Sequence, residues 1–448
     1  MSSVRPAAVA GMFYPGDARA LAAEVGDLLD GVGLPQPRLS YPKALIVPHA
    51  GYIYSGPIAA RAFDELIPAR GIVRRVVLLG PTHRVAVNGL AVPSAAAFAT
   101  PLGTVRIDAE ALHAVSDLPQ VVTSDAAHAL EHSLEVQLPF LQKVLGEFAL
   151  APFAVGRASV QEVAEAIERL WGGAETVIVV SSDMSHYHSY EQARAIDGAT
   201  IKRIAAFATD IDHEEACGAT PLNGLLLTAR RKNLSLNLLA ACNSGDTAGG
   251  KGRVVGYSSF GFYEGGEVSL DAAGRTLLSL ARDSIEETLL GKAKSRQSSP
   301  WLAQTGATFV TLTKNGALRG CIGSLAPARA LGEDVAQNAL GAAFRDPRFP
   351  AMTAAEWAQC KVEVSLLSMP KPLRFADEAD LLAQIEASAD GLIVEAAGKR
   401  GTFLPQVWEE LPEKRAFLAQ LLKKAGLPAD TRLTRCKVSR YRVAKWKE

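Results

Sequence analysis

The sequence contains few cysteines and carries no net charge, and these two shortages argue against several classes of protein. Only five cysteines occur among 448 residues, widely scattered and without a CxxC pair. That usage argues against a disulfide scaffold and fits a reducing compartment. Lys and Arg number 47 against 47 Asp and Glu. The resulting zero net charge argues against a dedicated nucleic-acid-binding protein, whose surface is usually strongly basic.

Long apolar runs are missing as well. No stretch reaches the roughly 18 apolar residues of a membrane span, so no membrane association is expected. The chain meets Phe13-Tyr14-Pro15-Gly16 early and lacks the apolar core of about 7–15 residues that a secretion signal needs. We therefore expect a cytoplasmic protein. Its 48% apolar and 21% charged residues are typical of a globular chain.

The charge distribution divides the chain near residue 266. Residues 1–265 hold 21 basic and 26 acidic residues, a net charge of −5, whereas residues 266–448 hold 26 and 21, a net charge of +5. The change falls on a glycine-containing polar stretch, residues 263–267, where a linker is expected. We predict one domain over residues 1–265 and a second over residues 266–448.

Hydrophobic patterning predicts a different architecture for each half. The first half alternates short apolar runs with helical patterns, which indicates a layered α/β domain. The second half mixes the two kinds of segment without that alternation, which indicates an α+β domain. Strands are predicted at 44–47, 76–79, 176–180, 234–240, 307–313, 362–367 and 432–444, and helices at 18–29, 57–66, 160–170, 191–207, 274–290 and 329–343.

Metal-ligating residue types follow several predicted strands of the first half. His49 and His83 each come just after an apolar run, and Asp183 and His186 follow a third. Ligands gather beyond the carboxyl ends of strands in open α/β sheets, so these residues are expected to share one pocket. Cys242 follows a fourth run and could add a thiolate. Imidazole suits iron, copper, zinc and nickel, which predicts a catalytic metal site. The alternative is that each histidine only caps a turn.

A second polar cluster occupies residues 131–137. On a helix, Glu131 and Glu135 would share a face at positions i and i+4. Glu131 or His132 could then orient a metal-bound histidine through a hydrogen bond. The alternative is an ordinary polar helix face.

An ordered series of motifs across residues 5–263 resembles the Memo family, which itself resembles class III extradiol ring-cleaving dioxygenases in fold. The motifs are Ala10-Gly11-Met12-Phe13-Tyr14-Pro15, Pro48-His49-Ala50-Gly51-Tyr52, Gly80-Pro81-Thr82-His83, Glu131-His132-Ser133-Leu134-Glu135, Ser182-Asp183-Met184-Ser185-His186 and Cys217-Gly218-Ala219-Thr220-Pro221.

This resemblance implies one transition-metal ion, iron or copper before zinc. Its ligands would be His49, His83 and Cys242, with Asp246 as the alternative to Cys242. The dioxygenases have a carboxylate at this third position. The proton-transferring residues would be His186 and Asp183, with Asp183 fixing the tautomer of His186, and a small substrate would meet Tyr52, Tyr54, His132 and Glu131.

Residues 270–445 resemble the AMMECR family. The resemblance is carried by Leu318-Arg319-Gly320-Cys321-Ile322-Gly323-Ser324-Leu325, Phe344-Arg345-Asp346-Pro347-Arg348-Phe349, Val362-Glu363-Val364-Ser365, Leu404-Pro405-Gln406-Val407 and Lys423-Lys424-Ala425-Gly426-Leu427-Pro428. A chain that joins both modules is similar to the AmmeMemoRadiSam system, whose third member is a radical SAM protein. The resemblance therefore implies a radical SAM partner.

Cys321 is the candidate catalytic residue of the second half. Arg319 could favour its thiolate, and Gly320 and Gly323 would let a ligand approach the backbone closely. The alternative is a small buried cysteine in a turn, with Arg319 paired to Glu363 or Asp346. No histidine follows His213, so the base would have to be Glu363 or come from the other domain.

Two classes of function are compatible with these residues. The first is a metal-dependent redox enzyme that acts on a small substrate, with aromatic compounds among the candidates, or on dioxygen. The second is a peptide-binding or ligand-binding scaffold that works without turnover beside the radical SAM partner.

Overall fold

The computed structural model describes residues 3–34, 37–265, 269–291, 299–428 and 431–448. The chain forms two compact units. The first unit comprises Met1–Val32 and Tyr41–Glu267, and the second comprises Gly33–Ser40 and Val268–Glu448. The predicted boundary between residues 265 and 266 adjoins residues 266–268, which lie outside the described residues. Separate domains over 1–265 and 266–448 therefore stay a prediction about independent folding.

The first unit is built on one twelve-stranded mixed sheet covered by helices. Its strands are β1 (Val4–Arg5), β2 (Ala44–Val47), β3 (Arg75–Pro81), β4 (Leu90–Val92), β5 (Ala97–Thr100), β6 (Gly103–Ile107), β7 (Val121–Thr123), β8 (Ala149–Val155), β9 (Thr176–Ser181), β10 (His186–His188), β11 (Ser235–Asn243) and β12 (Val254–Tyr263). Its helices are α1 (Ala18–Asp30), α2 (Tyr52–Asp64), α3 (Ala109–His113), α4 (Asp125–Ala129), α5 (Leu138–Leu145), α6 (Val160–Arg169), α7 (Tyr190–Ala205) and α8 (Ala219–Arg231).

The strand order through the sheet is β1-β5-β6-β8-β3-β9-β2-β12-β10, with β11 on β12 and β4 between β7 and β8. The central strands β8, β3, β9 and β2 are parallel to one another. Every residue of β2 and β9 is buried, as expected where a parallel sheet is covered on both faces. Their carboxyl ends therefore open at a single edge.

Alternate residues of the central strands enter two separate hydrophobic cores. Leu45 and Val47 of β2 belong to one core, and Ala44 and Ile46 belong to the other. Side chains alternate between the faces of a strand, so a continuous apolar run is what two covered faces require. The layered α/β expectation for the first half is confirmed.

The polar segment 131–137 differs from the sequence-based expectation. Residues 131–137 are not one helix, because Glu131 and His132 lie in a loop and Glu135–Gln137 forms a 3₁₀ helix before α5. Pro139 lies in the first turn of α5, where proline is tolerated, and it would disfavour continuing a helix from residue 131 through it. Glu131 and Glu135 consequently have different partners instead of sharing one face.

The second unit contains two four-stranded antiparallel sheets, ordered β15-β14-β17-β22 and β18-β21-β19-β20, and the pair β13-β16. Its strands are β13 (Thr305–Gly306), β14 (Thr308–Lys314), β15 (Ala317–Gly323), β16 (Arg329–Ala330), β17 (Cys360–Leu367), β18 (Lys371–Leu373), β19 (Gly391–Ala396), β20 (Lys399–Phe403), β21 (Lys437–Tyr441) and β22 (Val443–Lys447). Its helices are α9 (Leu270–Leu290), α10 (Leu331–Phe344), α11 (Ala354–Trp357), α12 (Glu378–Gln384) and α13 (Lys414–Lys424).

This arrangement confirms the α+β expectation for the second half. The single strand pattern expected over 432–444 is instead a 3₁₀ turn followed by β21 and β22, which belong to different sheets. Within the described residues, no helix is long and apolar enough to cross a membrane.

A buried ion pair fastens β1 to the segment that precedes α5. Arg5 Nη1 lies 2.6 Å from Glu135 Oε2, and both side chains are almost completely buried. Glu135 also accepts the N–H groups of Ala8 and Val9 and the hydroxyl of Tyr14. The Glu135 carboxylate thus accepts hydrogen bonds from the first strand and from the turn that follows it.

Replacing Arg5 by Met should destabilise the first unit by about 3–5 kcal/mol, because Glu135 would be left buried without its cation. The control is Arg169→Met, which breaks the exposed pair of Arg169 with Asp117 at 3.2 Å and should cost about 0–1 kcal/mol. Calorimetric unfolding of the full-length chain measures both. Equal shifts for the two variants would contradict the structural role of the buried pair.

Candidate metal centre

Three imidazoles converge beyond the carboxyl edge of the central sheet. His49 follows β2 and His83 follows β3, two strands that flank β9. His132 comes from the turn before the 3₁₀ helix Glu135–Gln137. One nitrogen from each ring lies within 4.8 Å of the others. The ring centroids are 5.2 Å apart for His49 and His83, 5.4 Å for His49 and His132, and 4.6 Å for His83 and His132.

The tautomer of His49 follows from the hydrogen bonds around Ser181. His49 Nδ1 lies 2.8 Å from Ser181 Oγ. That hydroxyl donates its only proton to the carbonyl of Ser133 at 2.7 Å and accepts from Gln137 Nε2 at 2.9 Å. Nδ1 of His49 must therefore carry the proton and donate it to Ser181. The lone pair is left on Nε2, where a metal could bind it.

The carboxylate of Glu131 orients His83 in the same way. Its Oε1 lies 2.9 Å from His83 Nδ1, and its Oε2 accepts the backbone N–H of His83 at 2.6 Å. The N–H groups of His132 and Ser133 also donate to Oε1, each at 2.9 Å. Burial alone would raise the pKa of Glu131, but the bonds from His83 and Ser133 outweigh it and lower the pKa to about 2. An ionised carboxylate accepts the Nδ1 proton and leaves His83 Nε2 available.

Burial favours the neutral form of two of the three imidazoles, His49 and His132. Burial, together with the neighbouring histidines, lowers the pKa of His49 well below its ordinary value. Burial also lowers the pKa of His132 to about 4. Metal ligation requires neutral imidazole. The converging nitrogens and the fixed tautomers therefore fit one metal ion.

The cluster opens into a cavity of about 870 Å³. His186 and Asp183 line this cavity, as does Tyr54, in agreement with their predicted place at one pocket. The carboxylate of Glu214 also lines it, together with further aromatic and basic side chains. Among these are Phe13, Arg84, Tyr187, His213, Arg253 and Tyr257.

Asp183 supports the backbone of the site. Its Oδ1 accepts the N–H of His49 at 2.7 Å, and burial raises its pKa to about 7. Within the described part of the chain, no hydrogen bond joins Asp183 to the ring of His186. The carboxylate bonds to the loop that carries His49 instead, and a role of Asp183 in fixing the tautomer of His186 stays a prediction.

The two tyrosines of the Pro48-His49-Ala50-Gly51-Tyr52 region have different environments. Tyr52 is buried, donates its hydroxyl to the carbonyl of Val136 at 2.8 Å and packs against Phe140. Tyr54 is 38% exposed and lines the cavity. Residues two apart on a helix point in nearly opposite directions. Tyr52 therefore belongs to the core, and of the two tyrosines only Tyr54 lines the cavity. Substrate binding stays a prediction.

Cys242 lies outside the imidazole cluster, in contrast to the expected ligand set. It is on β11, opposite Tyr257 of β12, and β12 separates β11 from β2. Two strand spacings, about 10 Å, therefore lie between the Cys242 strand and the His49 strand. Asp246 is not among the residues that line the cavity of the three histidines, and it accepts from Tyr190 and from the N–H of Asn243.

The third imidazole comes from His132, which had been assigned to substrate binding. A different thiol approaches the cluster, because Cys217 Sγ lies 3.3 Å from His49 Nε2. Burial raises the pKa of Cys217 to about 12. The Cys217-Gly218 motif carried the family resemblance, but no local pattern pointed to the neighbourhood of His49.

Cys321 lies in the second unit, partly exposed on β15. Its thiol accepts from Thr311 Oγ1 at 3.3 Å, and its N–H donates to Asp346 at 2.9 Å. Arg319 pairs with Glu356 at 2.7 Å instead of with Glu363 or Asp346. A catalytic role for Cys321 stays a prediction.

Comparison with known proteins assigns each half of the chain to a family model. The model described as Memo-like protein matches residues 5–261, and the AMMECR1 model matches residues 278–446. A MEMO1 family protein of Aquifex aeolicus is 38% identical over 267 residues, which are 57% of this chain and 97% of that protein. Another from Methanopyrus kandleri is 36% identical over 286 residues, or 58% and 99% of the two chains. The crystal structure of an uncharacterized protein from Pyrococcus horikoshii shares 37% identity, covering 39% of this chain and 91% of that one, with a TM-score of 0.37.

Ser181→Ala should weaken metal binding about 10- to 100-fold, because His49 Nδ1 would lose the acceptor that fixes its tautomer. Ser258→Ala is the matched control, since the buried Ser258 hydroxyl has no partner among the described residues. Isothermal titration with Zn²⁺ and Co²⁺ measures both variants. A Ser181→Ala protein with the affinity of the Ser258→Ala protein would exclude the positioning role.

Proposed function

This chain belongs to the Memo-like protein family and carries an AMMECR1 domain after the Memo domain, and on that premise we propose that its first unit is a metal-dependent redox enzyme. The observation that carries the proposal is the set of three imidazoles that converge on one point. Hydrogen bonds to Ser181 and Glu131 leave the Nε2 lone pairs of His49 and His83 unprotonated. A scaffold protein has no need of such an arrangement.

The metal would be held by His49, His83 and His132. Imidazole donors suit iron, copper and zinc, and we favour iron or copper because the proposed reaction is a redox reaction. When bound, such an ion would supply electron transfer and Lewis-acid chemistry to a substrate or to dioxygen.

The cavity walls support a small aromatic substrate. Phe13, Tyr54 and Tyr257 supply aromatic surface beside the histidines. Arg84 and Arg253 also line the cavity, and neither forms an ion pair with any residue that the structure describes. Their charge favours a substrate with an acidic group, because a guanidinium group pairs readily with a carboxylate.

His186 is the proposed proton acceptor. It lines the cavity, and burial lowers its pKa from the ordinary value, so the ring is neutral near pH 7. A neutral imidazole within reach of the substrate could take up a proton during the reaction. Asp183 would act indirectly, by holding the backbone of His49.

The second candidate is a binding or scaffold protein that works with a radical SAM partner. Exposed apolar side chains near the cavity favour a binding function. Tyr187, which lines the cavity, is 64% exposed; Met12 and Ile53, which adjoin cavity-lining residues in the chain, are 72% and 64% exposed. Apolar surface of this kind often marks a site of protein contact. On this proposal, the small molecule in the cavity would be bound without turnover.

Metal content and oxygen uptake separate the two candidates. His49→Ala, His83→Ala and His132→Ala should each lose the metal, whereas His186→Ala should keep it and lose turnover. The exposed His113→Ala is the control and should retain both. The measurements are elemental analysis of anaerobically purified protein and oxygen consumption with phenols that carry or lack a carboxylate.

Full metal content in His49→Ala or His83→Ala would place the metal elsewhere. A metal-free His186→Ala protein would make His186 a ligand. Metal-loaded protein that consumes no oxygen with any phenol would favour the binding function.

A further inference from the structure

The thiol of Cys217 contacts the nitrogen of His49 that is free to bind a metal. Sγ lies 3.3 Å from Nε2, although the two residues are 168 positions apart in the chain. Cys217 lines the same cavity as the three histidines. No other cysteine lines this cavity among the residues that the structure describes.

The backbone of Cys217 and Gly218 packs closely against the end of β9. The N–H of Cys217 donates to the carbonyl of Asp183 at 3.2 Å, and the N–H of Asp183 donates to Sγ at 3.3 Å. A Cβ atom at Gly218 would lie 2.6 Å from the carbonyl oxygen of Ser181. Glycine therefore permits the approach that brings the thiol to the metal-binding edge.

We propose that Cys217 supplies a thiolate ligand to the metal held by His49, His83 and His132. Zinc binds nitrogen at about 2.0–2.1 Å and sulfur at about 2.3 Å, so adjacent N and S donors on a tetrahedral ion lie about 3.6 Å apart. The observed 3.3 Å is close to that separation. Sγ adjoins the imidazole group on its His49 side and, among the described residues, is not one of the donor atoms that all lie within 4.8 Å of one another. Ligation therefore requires Sγ to move toward the centre of the group.

Charge and protons balance without a redox step. In the metal-free protein the thiol carries a proton, for which Nε2 of His49 at 3.3 Å and the carbonyl oxygen of Asp183 at 3.7 Å are the two acceptors. When a divalent ion binds, Nε2 and Sγ form bonds to it, the S–H bond breaks, and the proton passes to solvent. Three imidazoles and one thiolate would favour copper, zinc, cobalt or iron over magnesium or calcium.

This inference rests on the metal centre of the proposed function but not on turnover. Cys242 is the competing thiol, since it belongs to the same unit and was the ligand expected from the sequence. Burial raises its pKa to about 12, the same direction and size as for Cys217. Cys242 is therefore the control thiol, because it shares the raised pKa of Cys217 but does not line the cavity of the three histidines.

Co²⁺ added to the full-length chain tests the proposal, because a cobalt–thiolate bond gives a charge-transfer band in the near ultraviolet. The band should appear in the unaltered protein and in Cys242→Ser, and it should be lost in Cys217→Ser while Co²⁺ still binds to the histidines. A band that survives in Cys217→Ser, or is lost in Cys242→Ser, would overturn the proposal. Bound Co²⁺ without any band in the unaltered protein would overturn it too and leave the imidazole centre intact.

Alkylation of the unaltered protein provides a test that does not depend on a variant folding. Co²⁺ should protect Cys217 from N-ethylmaleimide and leave the reaction of Cys242 unchanged, as read by peptide mass spectrometry. Equal labelling of Cys217 with and without bound Co²⁺ would refute ligation. Failure of the unaltered protein to bind Co²⁺ would refute the metal centre itself, and the ligand role with it.

Discussion

The parallel pairing of β2, β9 and β3 is the constraint on which the candidate site depends. Each strand is buried on both faces, and each is followed by a polar loop at the same edge of the sheet. His49, His83 and Asp183 are neighbours because their strands are neighbours. A sheet packed on both sides cannot shift one strand without moving apolar side chains out of two cores at once.

A short polar segment, residues 131–137, connects this edge to the rest of the first unit. Glu131 holds His83, and Gln137 donates to the hydroxyl that holds His49. Glu135 faces elsewhere, toward Arg5 and Tyr14. Buried carboxylates are costly unless they are fully bonded. The accumulation of bonds on Glu131 and Glu135 explains how two acids four positions apart can both be buried.

The second unit has hydrophobic cores made mainly of its own residues and a distinct arrangement of sheets. Its candidate cysteine is bonded through Thr311 and Asp346, while Arg319 is committed to Glu356. These contacts show how the Cys321 strand is held. They do not form the pair of nucleophile and base that a catalytic thiol requires. The contribution of Cys321 to function is therefore a separate question from the metal centre.

The amino-acid sequence by itself determined the central strands β2, β3 and β9, the α/β and α+β classes, and the positions of His49 and His83 just past buried strands. These features follow from local apolar patterning and from the identity of the residues that directly follow each apolar run. The tertiary structure alone decided that His132 joins them, that Tyr52 faces the core, and that Cys217 approaches the site while Cys242 does not. The last choice depends on strand order, because β12 lies between β11 and β2. The contact between Cys217 and His49, which are 168 positions apart, depends on how the elements pack, and no local sequence pattern predicts that packing.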